Sequence, residues 1–271
     1  MHGTPRIKLS LTEEAPLSTT QSDGIWKFGE QSNVVRVRAD GEFPKQDDDV
    51  LISLELTEAA LQRDPTPGIG PRRLGVDVAR NGDDRAVLLL RQGPVVEQIA
   101  VHSKQDAMAT VGHVMQAAQA WRADGIYVDI IGVGAGVYDR LQELAAEGKL
   151  SAAVYGVNVA EAAPPRQADE GAQGKSLRDY LWLMMWRWLR VEAPAFAADR
   201  DACEDLAGEL SSVKYAPDSH GCLVIESKDH MKACGLRSPD LADALGLTFA
   251  PTPVLPLYAT LVFDTHVSLW R

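Results

Sequence analysis

An acid set inside an apolar strand constrains this chain more than any other feature. Residues 74–93 read LGVDVARNGDDRAVLLLRQG. Asp77 interrupts the first apolar run. A polar turn with Gly82, Asp83 and Asp84 follows, and a second apolar run covers 86–90. Burying a carboxylate within a strand is costly unless a metal or hydrogen bonds compensate it. An acid there, facing a hairpin with another acid six residues on, has the character of half a divalent-metal site.

The rest of the chain must supply a core and the other half of that site. Its 271 residues suffice for one large domain or a domain with extensions. Apolar content of 45% and charged content of 24% are those of a soluble globular protein. The net charge of −11, from 27 basic and 38 acidic residues, excludes a generally basic nucleic-acid coat protein. It does not exclude an enzyme that gathers acids around metals and holds DNA through a local basic patch. Cys203, Cys222 and Cys234 form no CxxC pair and are expected to be free thiols in a reducing cytosol. The start, MHGTPRIKLS, lacks the apolar core of a signal peptide. No apolar run approaches the ~20 residues a membrane helix needs. A cytoplasmic protein without membrane contact is the expectation.

Residues 1–32 are polar and aperiodic and are expected to be a flexible N-terminal segment. Residues 33–73 carry a short strand at 34–37, a short helix at 54–62 and the proline- and glycine-rich PTPGIGPRR, where the domain boundary is placed. Three strands follow, at 74–79, 85–91 and 95–101, joined by the hairpin signals Asn81-Gly82-Asp83 and Gln92-Gly93-Pro94. Ser103 with Asp106 reads as a capping box for a helix whose apolar face runs from Ala107 to Trp121. Gly125 opens a fourth strand, IYVDII, with Asp129 near its end. A helix over 137–146 and a fifth strand over 152–160 come next.

A polar loop spans 161–174, and an amphipathic helix 175–191 starts with the capping box Ser176–Asp179. Its tryptophans 182, 186 and 188 read as packing residues. A helix over 200–211, a hairpin of 213–215 with 223–225 and a short helical piece at 228–234 lead to SPDLADALGLTFA. There Ser238 reads as the N-cap, with Pro239 at the first helical position. The fold class is α/β: a mixed central sheet, three antiparallel strands and then parallel ones, flanked by helices. Residues 251–271 form a tail with no assigned role.

Asp77, Asp129 and Asp240 come from three distant parts of the chain and can meet if the first and fourth strands are neighbours and the last helix packs across them. Asp243 and Asp83 would stand nearby. Hard oxygen ligands without histidine suit Mg2+ or Mn2+ rather than zinc. Two such ions about 3.5–4 Å apart suit phosphodiester hydrolysis. Plainer roles remain open for each acid: Asp77 paired with a buried arginine, Asp129 capping the next helix or holding a ribose hydroxyl, Asp240 as a first-turn acid satisfying the helix dipole. GVGAG, residues 132–136, lacks the GxGxxG spacing, and no GxxxxGK[ST] is present, so these glycines read as tight strand-to-helix packing. His113, His220 and His230 read as surface or structural.

LGVDVARNGDDRAVLLL, VDIIGVGAGVYDRL and SPDLADALGLTFA, in this order and at these separations, closely resemble the C-terminal nuclease domain of tailed-phage terminase large subunits. VVRVRADGEFPKQDDDVLISLELTEAAL resembles the segment leading from the motor domain into that nuclease. The resemblance covers roughly residues 30–250. It implies a ribonuclease H-like nuclease domain over 74–250, preceded by a motor-to-nuclease connection over 33–73. It implies a metal-dependent endonuclease that cuts concatemeric phage or prophage DNA during packaging in the host cytoplasm. The metal-ligand roles fall on Asp77, Asp129 and Asp240, with Asp83 and Asp243 as accessory acids.

Arg80, Lys175, Arg178, Lys214, Lys228 and Lys232 are the candidate phosphate contacts on double-stranded DNA. The partners implied are a portal protein, a small terminase subunit and a separate ATPase motor. No Walker motif occurs here, which implies a prophage remnant, a split gene product or an excised domain. The alternatives are a catalytically idle remnant docking onto portal or small subunit, and an actin-like-fold phosphotransferase, which would require ATP.

Overall fold

Between Ala86 and Leu90 the chain has no polar alternation, so both faces of that strand must be covered. The computed structural model describes residues 50–78, 85–103, 105–165 and 173–252, and shows how they are covered. The run is β2 (Arg85–Gln92) of a six-stranded sheet ordered β5-β4-β1-β2-β3-β6. β1 (Arg72–Asp77) and β3 (Val95–Ser103) flank it, both antiparallel. β4 (Gly125–Asp129) runs parallel to β1, and β5 (Ala153–Val157) parallel to β4. The expected order of antiparallel and then parallel strands is therefore observed. The two-residue β6 (Ala195–Phe196), parallel to β3 at the edge, is too short to show periodicity and was not anticipated.

The helices follow in chain order as α1 (Leu54–Gln62), α2 (Ala107–Ala120), α3 (Val133–Ala146), α4 (Leu177–Val191), α5 (Arg200–Leu210), α6 (Lys228–Ala233) and α7 (Asp240–Leu247). A small hairpin of β7 (Tyr215–Pro217) and β8 (Leu223–Ile225) precedes α6. Period two divides β2 between two cores. Leu88 and Leu90 pack with Val111 and Val114 of α2 and Val137 and Leu141 of α3. Val87 and Leu89 face the other way, toward Trp182 and Met185 of α4, Leu206 of α5 and Leu241 and Leu245 of α7. Each fully buried leucine contributes roughly 1.5–3 kcal/mol. Leu51, Ile52 and Ala60 join this second core, so α1 packs with the sheet's helices.

Two glycines set the distances that matter for the site. A Cβ on Gly75 would lie 1.9 Å from the carbonyl oxygen of Ala244, so only glycine lets α7 lie directly on β1. A Cβ on Gly134 would lie 1.8 Å from the carbonyl oxygen of Asp129. That contact bears out the tight-packing reading of GVGAG, with α3 starting at Val133 rather than 137 and Gly132 as its N-cap at φ 72°.

Other local expectations change. β1 ends at Asp77, where its ladder with β2 stops at Val87, so the acid closes the strand rather than sitting in its middle. α2 is capped by Asp106 alone, whose carboxylate accepts from the amide of Ala109, while Ser103 belongs to β3 and forms no box. The Ser176–Asp179 box is present. Pro239, not Ser238, is the N-cap of α7, and it has no side-chain hydrogen bond to give the helix.

Candidate active site

Parallel pairing of β1 and β4 brings Val76 opposite Val128, which puts Asp77 beside Asp129 at the carboxyl ends of adjacent strands. α7, held down at Gly75, adds Asp240 and Asp243 from its first turn. The acids face an open cavity of about 750 Å³ whose walls include Asp77, Asp129 and Asp240. Behind it a pocket of about 40 Å³ is lined by Asp77, Asp129 and Asp243 with Arg178, Trp182 and Lys228. Crevices at the carboxyl ends of parallel strands are common ligand sites in such sheets. The three aspartates singled out in the sequence thus share one site, and Asp243 joins them. Asp83 and Arg80 lie outside the described residues.

Three cations answer these acids. The Lys228 ammonium sits 3.5 Å from Asp77 Oδ2 and 2.8 Å from Asp243 Oδ2. Arg178 Nε is 3.6 Å from Asp243 Oδ1, and the indole of Trp182 donates to the same oxygen at 3.1 Å. Arg85 lies 3.5 Å from Asp240. Among the described residues, Asp77 therefore pairs with a lysine rather than with a buried arginine. Asp129 accepts from the amide of Ile131, a local turn contact rather than a cap on α3.

The resulting protonation is uneven. Burial pushes the Asp77 carboxyl up to about 8; Lys228 opposes this, while Asp243, Asp240 and Asp129 add to it. Burial also acts to raise Asp243, but Lys228 and Arg178 outweigh it and hold that carboxyl below its ordinary value. Burial works against the charge of Lys228, yet Asp243 and Asp77 keep its pKa above the usual lysine range.

Nothing in the sequence singles out Glu209 of α5. One carboxylate oxygen accepts from Arg85 at 2.9 Å. The other accepts from the amides of Leu241 at 2.7 Å and Ala242 at 3.1 Å. It is the side chain that caps α7, from another helix, and it holds Arg85 toward Asp240. Burial pushes Glu209 up to about 8 against the pull of Arg85, but all three donors address an ionised carboxylate, and that is the state the geometry builds.

Of the candidate phosphate contacts, Lys175, Arg178, Lys228 and Lys232 line the large cavity. Lys214 does not; its carbonyl accepts from Glu226 and it bridges to Val50. Arg178 is mostly turned inward, with Nη1 donating to the carbonyl of Glu226 at 2.9 Å. No helix among the described residues is long and apolar enough to cross a membrane.

No protein-family profile and no curated protein matches the chain. Solved structures do. The nuclease domain of the large terminase subunit gp2 of bacterial virus Sf6 aligns with a TM-score of 0.60 at 24% identity, over 75% of this chain and 100% of that one. A mutant of that domain with manganese and beta-thujaplicinol aligns with a TM-score of 0.63 at 22% identity, covering 75% and 100%. The mutant with calcium gives 0.63 at 24%, covering 74% and 100%. The chain has the fold of this terminase nuclease domain. At these identities the likeness establishes the ribonuclease H-like architecture, and the chemistry has to be argued from the acids themselves.

Proposed function

We propose that the chain is a divalent-metal-dependent DNA endonuclease of the phage-terminase type, hydrolysing phosphodiester bonds of concatemeric viral DNA in the host cytoplasm. The observation that carries this reading is Asp77: a buried carboxyl, crowded by Asp129, Asp240 and Asp243, with its pKa raised to about 8. A cluster of hard oxygen donors so poorly neutralised fits Mg2+ or Mn2+. The structural relatives support it, since that Sf6 domain has been solved with manganese.

Asp77 and Asp129 would hold the metal, with Asp240 and Asp243 completing the set from α7. Bound there, a pair of ions would supply Lewis-acid stabilisation and an acidified water for attack on the phosphodiester. Glu209 fixes the position of α7 and, through Arg85, of Asp240. Lys228 lies 2.8 Å from Asp243 and 3.5 Å from Asp77, and its side chain, 36% exposed, would be free to swing toward a phosphate in the cavity once the acids held metal. Lys175 and Lys232 offer further cations on the same wall. Portal protein, small subunit and a separate motor are the partners this activity would serve.

Plasmid nicking with Mn2+ tests the proposal. Asp77→Ala should reduce it by about 10²–10³-fold or more; equal activity in Asp77→Ala and the parent chain would refute it. One observation favours the alternative of an idle docking module: Lys228 already occupies the centre of the acids. Parent protein that neither nicks DNA nor gains thermal stability with Mn2+, yet binds a portal or small-subunit protein, would favour that alternative.

A further inference from the structure

We propose that Glu226, His230 and Cys234 form a second metal site, of zinc type, separate from the aspartate cluster. The residues fall at intervals of four, E-x3-H-x3-C, which one helical face brings together. Glu226 precedes α6, His230 lies within it and Cys234 is its C-cap, with the Cys234 amide donating to the His230 carbonyl at 3.0 Å. One potential ligand atom from each residue lies within 4.8 Å of the other two.

The second observation concerns Glu226. Its side chain is only 9% exposed, and its backbone is fixed by Lys214 on one side and Arg178 on the other. Oε1 contacts His230 Nδ1, but Oε2 is buried without a hydrogen-bond partner among the described residues. A buried carboxylate oxygen left unanswered is expensive, and an ion bound at this carboxylate supplies what it lacks. His230 and Cys234 are both exposed, so ions have access.

One sulfur, one nitrogen and one oxygen donor suit tetrahedral Zn2+ with water in the fourth position. The all-oxygen aspartate cluster has the opposite preference. Binding would replace the thiol proton and the histidine–glutamate hydrogen bond by bonds to the metal. The site would also fasten α6, whose six residues are far below the length at which a helix persists unaided. That helix carries Lys228 and Lys232 into the cavity.

The test uses the full chain, stripped of metal and titrated with Co2+ as a spectroscopic substitute. The expected result is a near-ultraviolet thiolate-to-cobalt charge-transfer band with tetrahedral visible bands. It should saturate at one ion per chain, and Zn2+ but not Mg2+ should displace it. Cys234→Ser and His230→Ala should lose the band while keeping the parent circular dichroism. Asp77→Ala should keep it, which separates this site from the proposed nuclease centre. A second readout is alkylation of Cys234, followed by mass spectrometry, which Zn2+ should slow in the parent chain and not in His230→Ala. Absence of the band in the parent chain, or a band that survives Cys234→Ser, overturns the proposal.

Discussion

The two ends of α7 are buried against the same sheet, yet they treat charge in opposite ways. At the C-terminal end Arg73 donates to the carbonyls of Thr248 and Ala250 at 3.0 and 3.2 Å. Arg91 donates to the hydroxyl and carbonyl of Thr248 at 2.8 and 2.9 Å, and its guanidinium lies 4.0 Å from the ring centroid of Phe249. Cations there complement the helix dipole and meet acceptors and aromatic faces. Burial, reinforced by Arg73, lowers Arg91 only to about 10, so it stays charged. At the N-terminal end Asp129, Asp240 and Asp243 crowd the buried Asp77, which is forced toward protonation. The first end is a finished structural joint. The second is left electrostatically open, as a site that takes a ligand must be.

The largest expected effect breaks the link between that open end and the helix. Glu209→Ala leaves Arg85 without its carboxylate and two α7 amides without an acceptor. Removing one partner of a buried ionic pair costs about 3–5 kcal/mol. Urea unfolding should show a loss of that order, and nicking should fall with it as Asp240 loses its support. Glu209→Gln, which keeps an acceptor for the amides, should recover part of the stability.

Asp77→Asn sharpens the comparison from the other side. For a carboxyl whose folded pKa is raised from 3.8 to about 8, stability is fully present below pH about 4 and is lost as pH rises through 8. Metal-free protein should therefore melt at lower temperature at pH 8 than at pH 6. Asp77→Asn should remove much of that slope and be more stable at pH 8 by on the order of 1 kcal/mol, while losing the nicking that the proposed function assigns to this acid. A flat profile in the parent chain would contradict the crowding inferred for this end.

Arg91→Met is the matching change at the finished end. It removes three hydrogen bonds, to the Thr248 hydroxyl and carbonyl and to the Gly93 carbonyl, and the cation–aromatic contacts with Phe249 and Trp188, and should cost roughly 2–3 kcal/mol in thermal or urea unfolding. Manganese-dependent nicking per folded molecule should not change, because Arg91 lines neither the cavity nor the pocket behind it. A selective loss of activity would mean the two ends are coupled through α7.

The open end was partly legible in the sequence because acids there interrupt apolar runs: Asp77 after LGV, Asp129 after IYV, Asp240 and Asp243 around Leu241. The mixed character of the sheet was legible from hairpin-length links among the first three strands and helix-length links after them, but that the first and fourth strands lie side by side was only a condition, since two strands and a helix separate them in the chain. Glu209 was not. In RDACEDLAGEL it is one of several acids on an amphipathic helix, and its role exists only once α5 packs against α7. Lys228 read as a candidate phosphate contact and not as a partner of the aspartates, because nothing local shows that α6 aims it at the acids. Ser238 looked like the better cap because capping from a distant helix leaves no local pattern.

The smallest expected effect isolates one atom of the open end. Trp182 is 1% exposed, and its indole packs in the core while Nε1 donates to Asp243. Trp182→Phe keeps most of the ring and removes that donor, which should cost about 1 kcal/mol. Asp243 keeps Lys228 and Arg178, so its carboxylate should remain ionised. Stability should then fall slightly while Mn2+ affinity, read as the metal-induced rise in melting temperature, holds or increases, because Asp243 has one competing partner fewer. A fall in that metal-induced rise would show instead that the indole orients Asp243 for the metal.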